Sequence, residues 1–288
     1  LGHTMAVGAA IAAKKMAARF GEDLMRQRIF AFISDGGIQE EVSQGAGRIA
    51  GHLGLDNLVM FYDANDVQLS TKVSEVMSDD VGMKYRAWGW EVLEIDGNDH
   101  DQIRQALDKA IAVNGKPTLI IGHTVMGKGM LSPDGECFEG LVKTHGQPLS
   151  AAGGGVAETI KNLGGNPEHP FVIFDEVQKL YDERKETLRA HAQKWHKQYD
   201  EWAKAHHEDA KELQRWLDLD TSHLDWKSIE QKPNAATRNA SATVLGFLAK
   251  NLPNMIVSSA DLSNSDKTDG FLKETKALTR DDFSGSFL

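Results

Sequence analysis

The chain of 288 residues contains one cysteine, Cys137. It can close no internal disulfide and build no thiolate metal cluster, and a reducing, cytoplasmic setting fits best. No apolar run approaches the ~20 residues that a membrane span requires. The first residues lack the basic-then-apolar pattern of a secretory signal. Positive charge is in deficit: 32 Lys and Arg face 42 Asp and Glu, a formal net charge of −10. That balance argues against a nucleic-acid or anionic-membrane partner. There is no internal repeat and no low-complexity tract. What remains is ordinary globular material, 41% hydrophobic and long enough for two domains.

The first half alternates apolar runs with helical periodicity. Residues 4–20 read as an Ala-rich helix. Ile29-Phe30-Ala31-Phe32-Ile33 reads as a buried strand running into Ser34-Asp35-Gly36-Gly37. Residues 40–52 are helix-length, and Leu58-Val59-Met60-Phe61-Tyr62 is a second strand running into Asp63-Ala64-Asn65-Asp66-Val67. A short helix over 81–88, a strand over 90–96, a helix over 100–113 and a strand over 117–121 follow, with Ile103, Leu107 and Ile111 one turn apart. Strands alternating with helices predict an α/β fold with a doubly wound parallel sheet.

Residues 127–155 are rich in Gly, Ser and Pro and too long for a plain connection, which predicts a functional loop. Residues 175–217 form a long polar helical stretch with a solvated face. Its Trp195, Tyr199, Trp202 and Trp216 predict packing against another element. From residue 235 a new α/β unit is expected, with a helix over 240–250, a turn at Pro253-Asn254 and a strand over 255–259. The chain opens on Leu1-Gly2-His3 and stops at Phe287-Leu288 without a closing element, and it reads as an internal piece of a longer polypeptide.

Thirty residues separate Asp35 from Asn65, each just past a hydrophobic run. Parallel strands joined by a crossover helix put both ends on one edge of the sheet. Open α/β sheets bind ligands at that edge. A carboxylate and an amide oxygen placed there can share one hard cation. Each residue also has a plainer role as a turn or helix-capping residue.

With these residues stands an ordered set of motifs: Ser34-Asp35-Gly36 with Glu40, then Ala50-Gly51-His52-Leu53-Gly54-Leu55 leading to Asn65, then Trp88-Gly89-Trp90 and Asp96-Gly97-Asn98-Asp99. Further on are Thr144-His145-Gly146-Gln147-Pro148-Leu149, Ala236-Thr237-Arg238-Asn239-Ala240-Ser241 and Ser259-Ala260-Asp261-Leu262. Taken together, the chain resembles the transketolase family of thiamine diphosphate enzymes over nearly its whole length. Ser34 stands where the family has Gly, Glu41 where it has Gly, and Val142 where some members carry a second His.

The resemblance implies a diphosphate-binding domain over 1–174, a helical linker over 175–234 and the start of a pyrimidine-binding domain over 235–288. It implies thiamine diphosphate and Mg2+ (or Ca2+ or Mn2+) as cofactors. Asp35, Asn65 and the Val67 main-chain carbonyl would hold the metal, and Gly36 would let main-chain N–H groups approach the diphosphate. His145 would contact the diphosphate near the reacting carbon and serve catalysis by hydrogen bonding or proton transfer. Glu40 would either suit the helix dipole or sit at a dimer interface, coupled to the glutamate that activates the cofactor. Arg238 and Ser265 would grip a sugar phosphate, and Asp261 would lie near the cofactor or cap the next turn.

The implied reaction is transfer of a two-carbon ketol unit from a ketose phosphate to an aldose phosphate, in the pentose phosphate pathway, by a cytoplasmic homodimer with the cofactor at the subunit interface. The activating glutamate is expected beyond Leu288, so this chain alone is expected to be inactive. The alternatives are another thiamine diphosphate enzyme, such as a deoxyxylulose-phosphate synthase or a 2-oxo acid dehydrogenase component, and a non-catalytic truncated module or half of a split transketolase.

Overall fold

Four short runs rich in β-branched and aromatic residues each find a parallel neighbour. In the computed structural model, which describes residues 1–288, they are β1 (Ile29–Ser34), β2 (Leu58–Ala64), β3 (Glu91–Asp96) and β4 (Thr118–His123), in the spatial order β1-β2-β4-β3. The helices, in chain order, are α1 (Gly2–Phe20), α2 (Glu22–Met25), α3 (Asp35–Gln39), α4 (Glu41–Leu53), α5 (Val73–Val76), α6 (Val81–Ala87), α7 (His100–Ala112), α8 (Val156–Asn162), α9 (Asp175–Ala205), α10 (His207–Leu217), α11 (Thr237–Asn251), α12 (Ser263–Asp266) and α13 (Asp269–Leu272). The fold is α/β with a four-stranded parallel sheet. No helix is long and apolar enough to cross a membrane.

The chain divides into two compact units, residues 1–10 with 28–189, and residues 11–27 with 190–288. The first holds the sheet. Leu58, Met60, Leu119 and Ile120 are fully buried in β2 and β4, the two central strands. On one face, α7 lays Ala106 and Ala110 against Val59 and Ile120, with Phe61, Leu93 and Ile95 packed around them. Asp99 starts that helix by accepting the N–H groups of Asp101 and Gln102.

The helices α4 and α6 meet through glycine. Tyr85 packs between Trp88 and Trp90, at centroid distances of 4.9 and 5.1 Å, and Trp90 Nε1 donates to the Gly47 carbonyl at 2.7 Å. A Cβ at Gly51 would lie 1.9 Å from the Trp88 carbonyl oxygen, so only glycine permits this approach.

The second unit has two apolar clusters. Ala17, Phe20, Met25 and Leu213 form one, with Tyr199, Trp202 and Trp216 packed on it. Trp195 Nε1 donates to the Leu24 carbonyl at 3.0 Å. The other joins Ala249, Val257 and Phe271 with Leu245, Met255 and Phe287. Lys15, buried in α1, donates to the Gly285 carbonyl at 2.9 Å and to Ser286 Oγ at 2.6 Å.

Two expectations need correction, and one gains detail. The strand β1 is an edge strand, not a buried one: Phe30 and Phe32 are 52% and 82% exposed, because α7 covers the other half of that sheet face. The stretch 175–217 is helical as expected, in two helices separated at His206, whose φ and ψ of −125° and 58° leave the helical region. No strand forms over 255–259. Val257 makes a single parallel bridge to Phe287, and the three hydrogen bonds to residues 286–288 are too few to build a ladder.

Candidate cofactor site

The strands β1 and β2 run side by side in register, Ile33 opposite Tyr62 and Ser34 opposite Asp63. Residues just past them therefore share one edge of the sheet. Asp35 opens the one-turn helix α3 and is only 2% exposed. The Asn65 main-chain N–H donates to Asp35 Oδ2 at 3.0 Å, and the Tyr62 hydroxyl donates to Asp35 Oδ1 at 2.6 Å. The Asn65 side chain is set in turn by the Val67 N–H, which donates to Asn65 Oδ1 at 3.0 Å. The spacing of thirty residues thus becomes a direct contact.

Burial is the largest influence on the Asp35 carboxyl and pushes its pKa up. The hydrogen bonds from Tyr62 and the Asn65 N–H pull the other way, the charge of Asp63 pushes it up again, and a hydrogen bond from the Asp66 main-chain N–H lowers it slightly. The Tyr62 hydroxyl is held above its ordinary range by burial, then by the same hydrogen bond. The other acids of the β2 exit are engaged elsewhere. Thr124 Oγ1 donates to the Asp63 carboxylate. Asp66, at φ 61°, accepts from the Ser74 N–H at 3.0 Å and lies 3.7 Å from Lys72 Nζ.

The loop carrying His145 lies beside the same edge. Gly146, at φ +71°, comes so close to Leu69 that an added Cβ would lie 3.3 Å from Leu69 Cδ1. His145 follows a 3-10 turn over Val142–Thr144, and its Nδ1 is buried without a hydrogen-bond partner. The Gln68 Nε2 amide is orphaned in the same way. Buried polar atoms of this kind require a partner, and a phosphate oxygen is one that both can use.

The donor set can be tested against a divalent cation. Nowhere do three or more His, Cys, Asp or Glu side chains converge, so the chain builds no cage of its own. One carboxylate, one amide oxygen and a nearby main-chain carbonyl fit a hard ion that keeps water and phosphate among its ligands, as Mg2+ does. Gly36 is exposed, and a Cβ added there would meet nothing within 4 Å. No protein atom demands glycine at that position, and the space beside it is open.

The remaining candidates are placed more loosely. Glu40 is exposed at the start of α4, and its side chain makes no capping hydrogen bond. In the second unit Arg238 and Ser265 do meet: Arg238 Nη1 donates to the Ser265 carbonyl at 3.4 Å, and both residues are exposed. Asp261 is exposed at φ 61°. It does not cap the next turn, because α12 starts from Leu262 without a side-chain cap. Sequence reasoning missed Tyr62. The available signal was a tyrosine inside an otherwise apolar strand, since a buried phenol usually finds an acceptor.

Three comparisons bear on this arrangement. The family described as transketolase, thiamine diphosphate binding domain, matches residues 1–221. Transketolase 2 of Saccharomyces cerevisiae is 37% identical over 281 residues, covering 93% of this chain and 40% of that protein. Transketolase 2 of Xanthobacter flavus is 35% identical over 279 residues, covering 93% of this chain and 39% of that one. The chain therefore spans about two fifths of the length of these curated relatives. Among solved structures, the transketolase of Pichia stipitis in complex with sedoheptulose 7-phosphate is similar at a TM-score of 0.87 and 30% identity, covering all of this chain and 43% of that one. The transketolase of Leishmania mexicana is similar at a TM-score of 0.90 and 26% identity, with the same coverage.

Proposed function

Since the chain belongs to the transketolase family through its thiamine diphosphate-binding domain, we propose that it forms the diphosphate and metal side of an enzyme transferring a two-carbon ketol unit from a ketose phosphate to an aldose phosphate. The observation that carries this reading is the meeting of Asp35 and Asn65 at the carboxyl ends of β1 and β2, through the 3.0 Å hydrogen bond between them.

In this reading Asp35, Asn65 and the Val67 carbonyl hold Mg2+, and Ca2+ or Mn2+ can take its place. Asp35 supplies the anionic ligand and Asn65 a neutral oxygen whose direction the Val67 N–H has already set. His145 faces the diphosphate with its buried, unpartnered Nδ1. It holds the anion or moves a proton nearby. Gly36 leaves room for the diphosphate beside the main chain. Arg238 and Ser265 bind the sugar phosphate, and Asp261 lies near the cofactor. Bound thiamine diphosphate supplies the electron sink for breaking and making the carbon–carbon bond. Glu40 acts at the interface of a homodimer, which sedimentation velocity tests. Residues 1–174, 175–234 and 235–288 are taken as the diphosphate-binding domain, the linker and the beginning of the pyrimidine-binding domain.

The test is two-carbon transfer from xylulose 5-phosphate to ribose 5-phosphate by a protein of the relatives' length that carries this chain. Sedoheptulose 7-phosphate is expected with thiamine diphosphate and Mg2+ present. The Asp35→Asn variant is expected to form it at least 100-fold more slowly, about 2.7 kcal/mol in the barrier. Equal rates for the two proteins contradict the assignment.

A further inference from the structure

The hydrogen bonds around Asp35 are divided with a purpose that the metal reading alone does not require. We propose that Tyr62 is the positioning residue of the cation site, fixing the Asp35 carboxylate so that it meets the ion in one orientation. The proposal rests on the reading of Asp35 and Asn65 as cation ligands.

Tyr62 lies in β2 and is 5% exposed. Its strand partner is Ile33, and its hydroxyl reaches past the end of β1 to Asp35 Oδ1 at 2.6 Å. The second oxygen, Oδ2, takes the Asn65 N–H at 3.0 Å. One donor comes from a side chain anchored in the sheet and the other from the loop beyond it. Turning the carboxylate about its Cβ–Cγ bond breaks both. The Asp66 main-chain N–H adds a third hydrogen bond. The two oxygens offer about four lone pairs, so one remains free for an ion.

The hydroxyl is also selective. Asp63 and Asp66 flank the same strand end, but Thr124 holds the first, and Ser74 with Lys72 the second. Tyr62 therefore serves the one acid that faces Asn65. Tyr85 provides the contrast within the same unit: it is fully buried between Trp88 and Trp90, and its hydroxyl has no partner. Groups that hydrogen-bond a metal's ligands change metal affinity or activity about 10–100-fold when removed, and Tyr62 is such a group by geometry.

The experiment is a Mn2+ titration of the 288-residue chain in the presence of thiamine diphosphate, with free Mn2+ read by electron paramagnetic resonance and corrected for a cofactor-only blank. Tyr62→Phe keeps the ring and removes the hydroxyl. It is expected to weaken Mn2+ binding about 10-fold or more and to change the spectrum of the bound ion. Thiamine diphosphate affinity is expected to return to the parent value at saturating Mn2+. Replacing Tyr62 by 4-aminophenylalanine keeps a donor at the same place and is expected to restore Mn2+ binding. Tyr85→Phe is expected to change nothing. Equal Mn2+ affinity and an unchanged spectrum in Tyr62→Phe overturn the proposal and leave the cation reading intact. So does a loss of cofactor affinity that saturating Mn2+ fails to restore, because that marks a general structural defect. Cofactor binding by the unaltered chain that ignores Mn2+ overturns the cation reading and this proposal with it.

Discussion

Asp35 is a costly residue for the unloaded chain. Burial raises its pKa, with hydrogen bonds from Tyr62 and Asn65 only partly offsetting the effect. A carboxyl whose folded pKa lies above its unfolded value contributes stability that is fully present below the unfolded value and lost as pH rises through the folded one. At neutral pH the ionised group is therefore a liability. Asp35→Asn removes the charge and keeps the shape. Its oxygen still accepts the Asn65 N–H, and the Tyr62 hydroxyl can turn to accept from the new amide. Measured by thermal unfolding at pH 7 in a chelator, this variant is expected to melt no lower than the parent chain. A lower midpoint contradicts the account of Asp35 as strained by burial. His3 gives a second residue-scale test. It is buried against Tyr85, both ring nitrogens lack partners, and burial lowers its pKa to about 4. Above the ordinary histidine value both states are neutral and nothing is lost. As pH falls from 6.5 towards 4 the unfolded state takes up the proton first, and up to about 3 kcal/mol is lost. His3→Phe is expected to remove that loss, so the difference in unfolding free energy between variant and parent should grow between pH 6.5 and pH 4. A constant difference contradicts it.

At the scale of elements, Leu213 on α10 is fully buried among Ala17, Phe20 and Met25, with Trp216 set edge-on to Phe20 at 4.9 Å. Leu213→Ala is expected to cost about 2–5 kcal/mol, read as a lower denaturant midpoint for the tryptophan fluorescence of this cluster. A change below about 0.5 kcal/mol contradicts the packing. The tryptophans announced this contact in the sequence, because large rings on a polar helix need apolar cover. Their partner was not legible, since periodicity names a face and not what lies against it. The strands β1 to β4 were legible from their apolar runs, but the exposure of Phe30 and Phe32 was not, because strand order decides which strand is an edge. The run over 255–259 looked like a strand by composition alone, yet a strand exists only where a partner extends the ladder. At the site, the spacing of Asp35 and Asn65 pointed to their meeting. The roles of Tyr62 and Thr124 depend on register and on how strand ends approach, which spacing does not encode.

At the scale of the whole molecule, the chain carries the proposed cofactor site and spans about two fifths of its curated relatives. Arg238 belongs to the proposed grip on the substrate phosphate and makes one long hydrogen bond, 3.4 Å, to the Ser265 carbonyl. A charge-assisted contact contributes roughly 1.5–3 kcal/mol. In a protein of the relatives' length, Arg238→Ala is therefore expected to lower kcat/KM for xylulose 5-phosphate by about one to two orders of magnitude while sparing hydroxypyruvate, which has no phosphate. Equal losses on both substrates contradict the assignment. The central claim is that Asp35 and Asn65 make cofactor binding depend on a divalent ion. Calorimetric titration of thiamine diphosphate into the parent chain and Asp35→Asn, each with and without Mg2+, tests it most directly. Mg2+ is expected to tighten binding by the parent chain about 10-fold or more and to leave the variant unchanged. The same affinity in all four titrations would contradict the metal site.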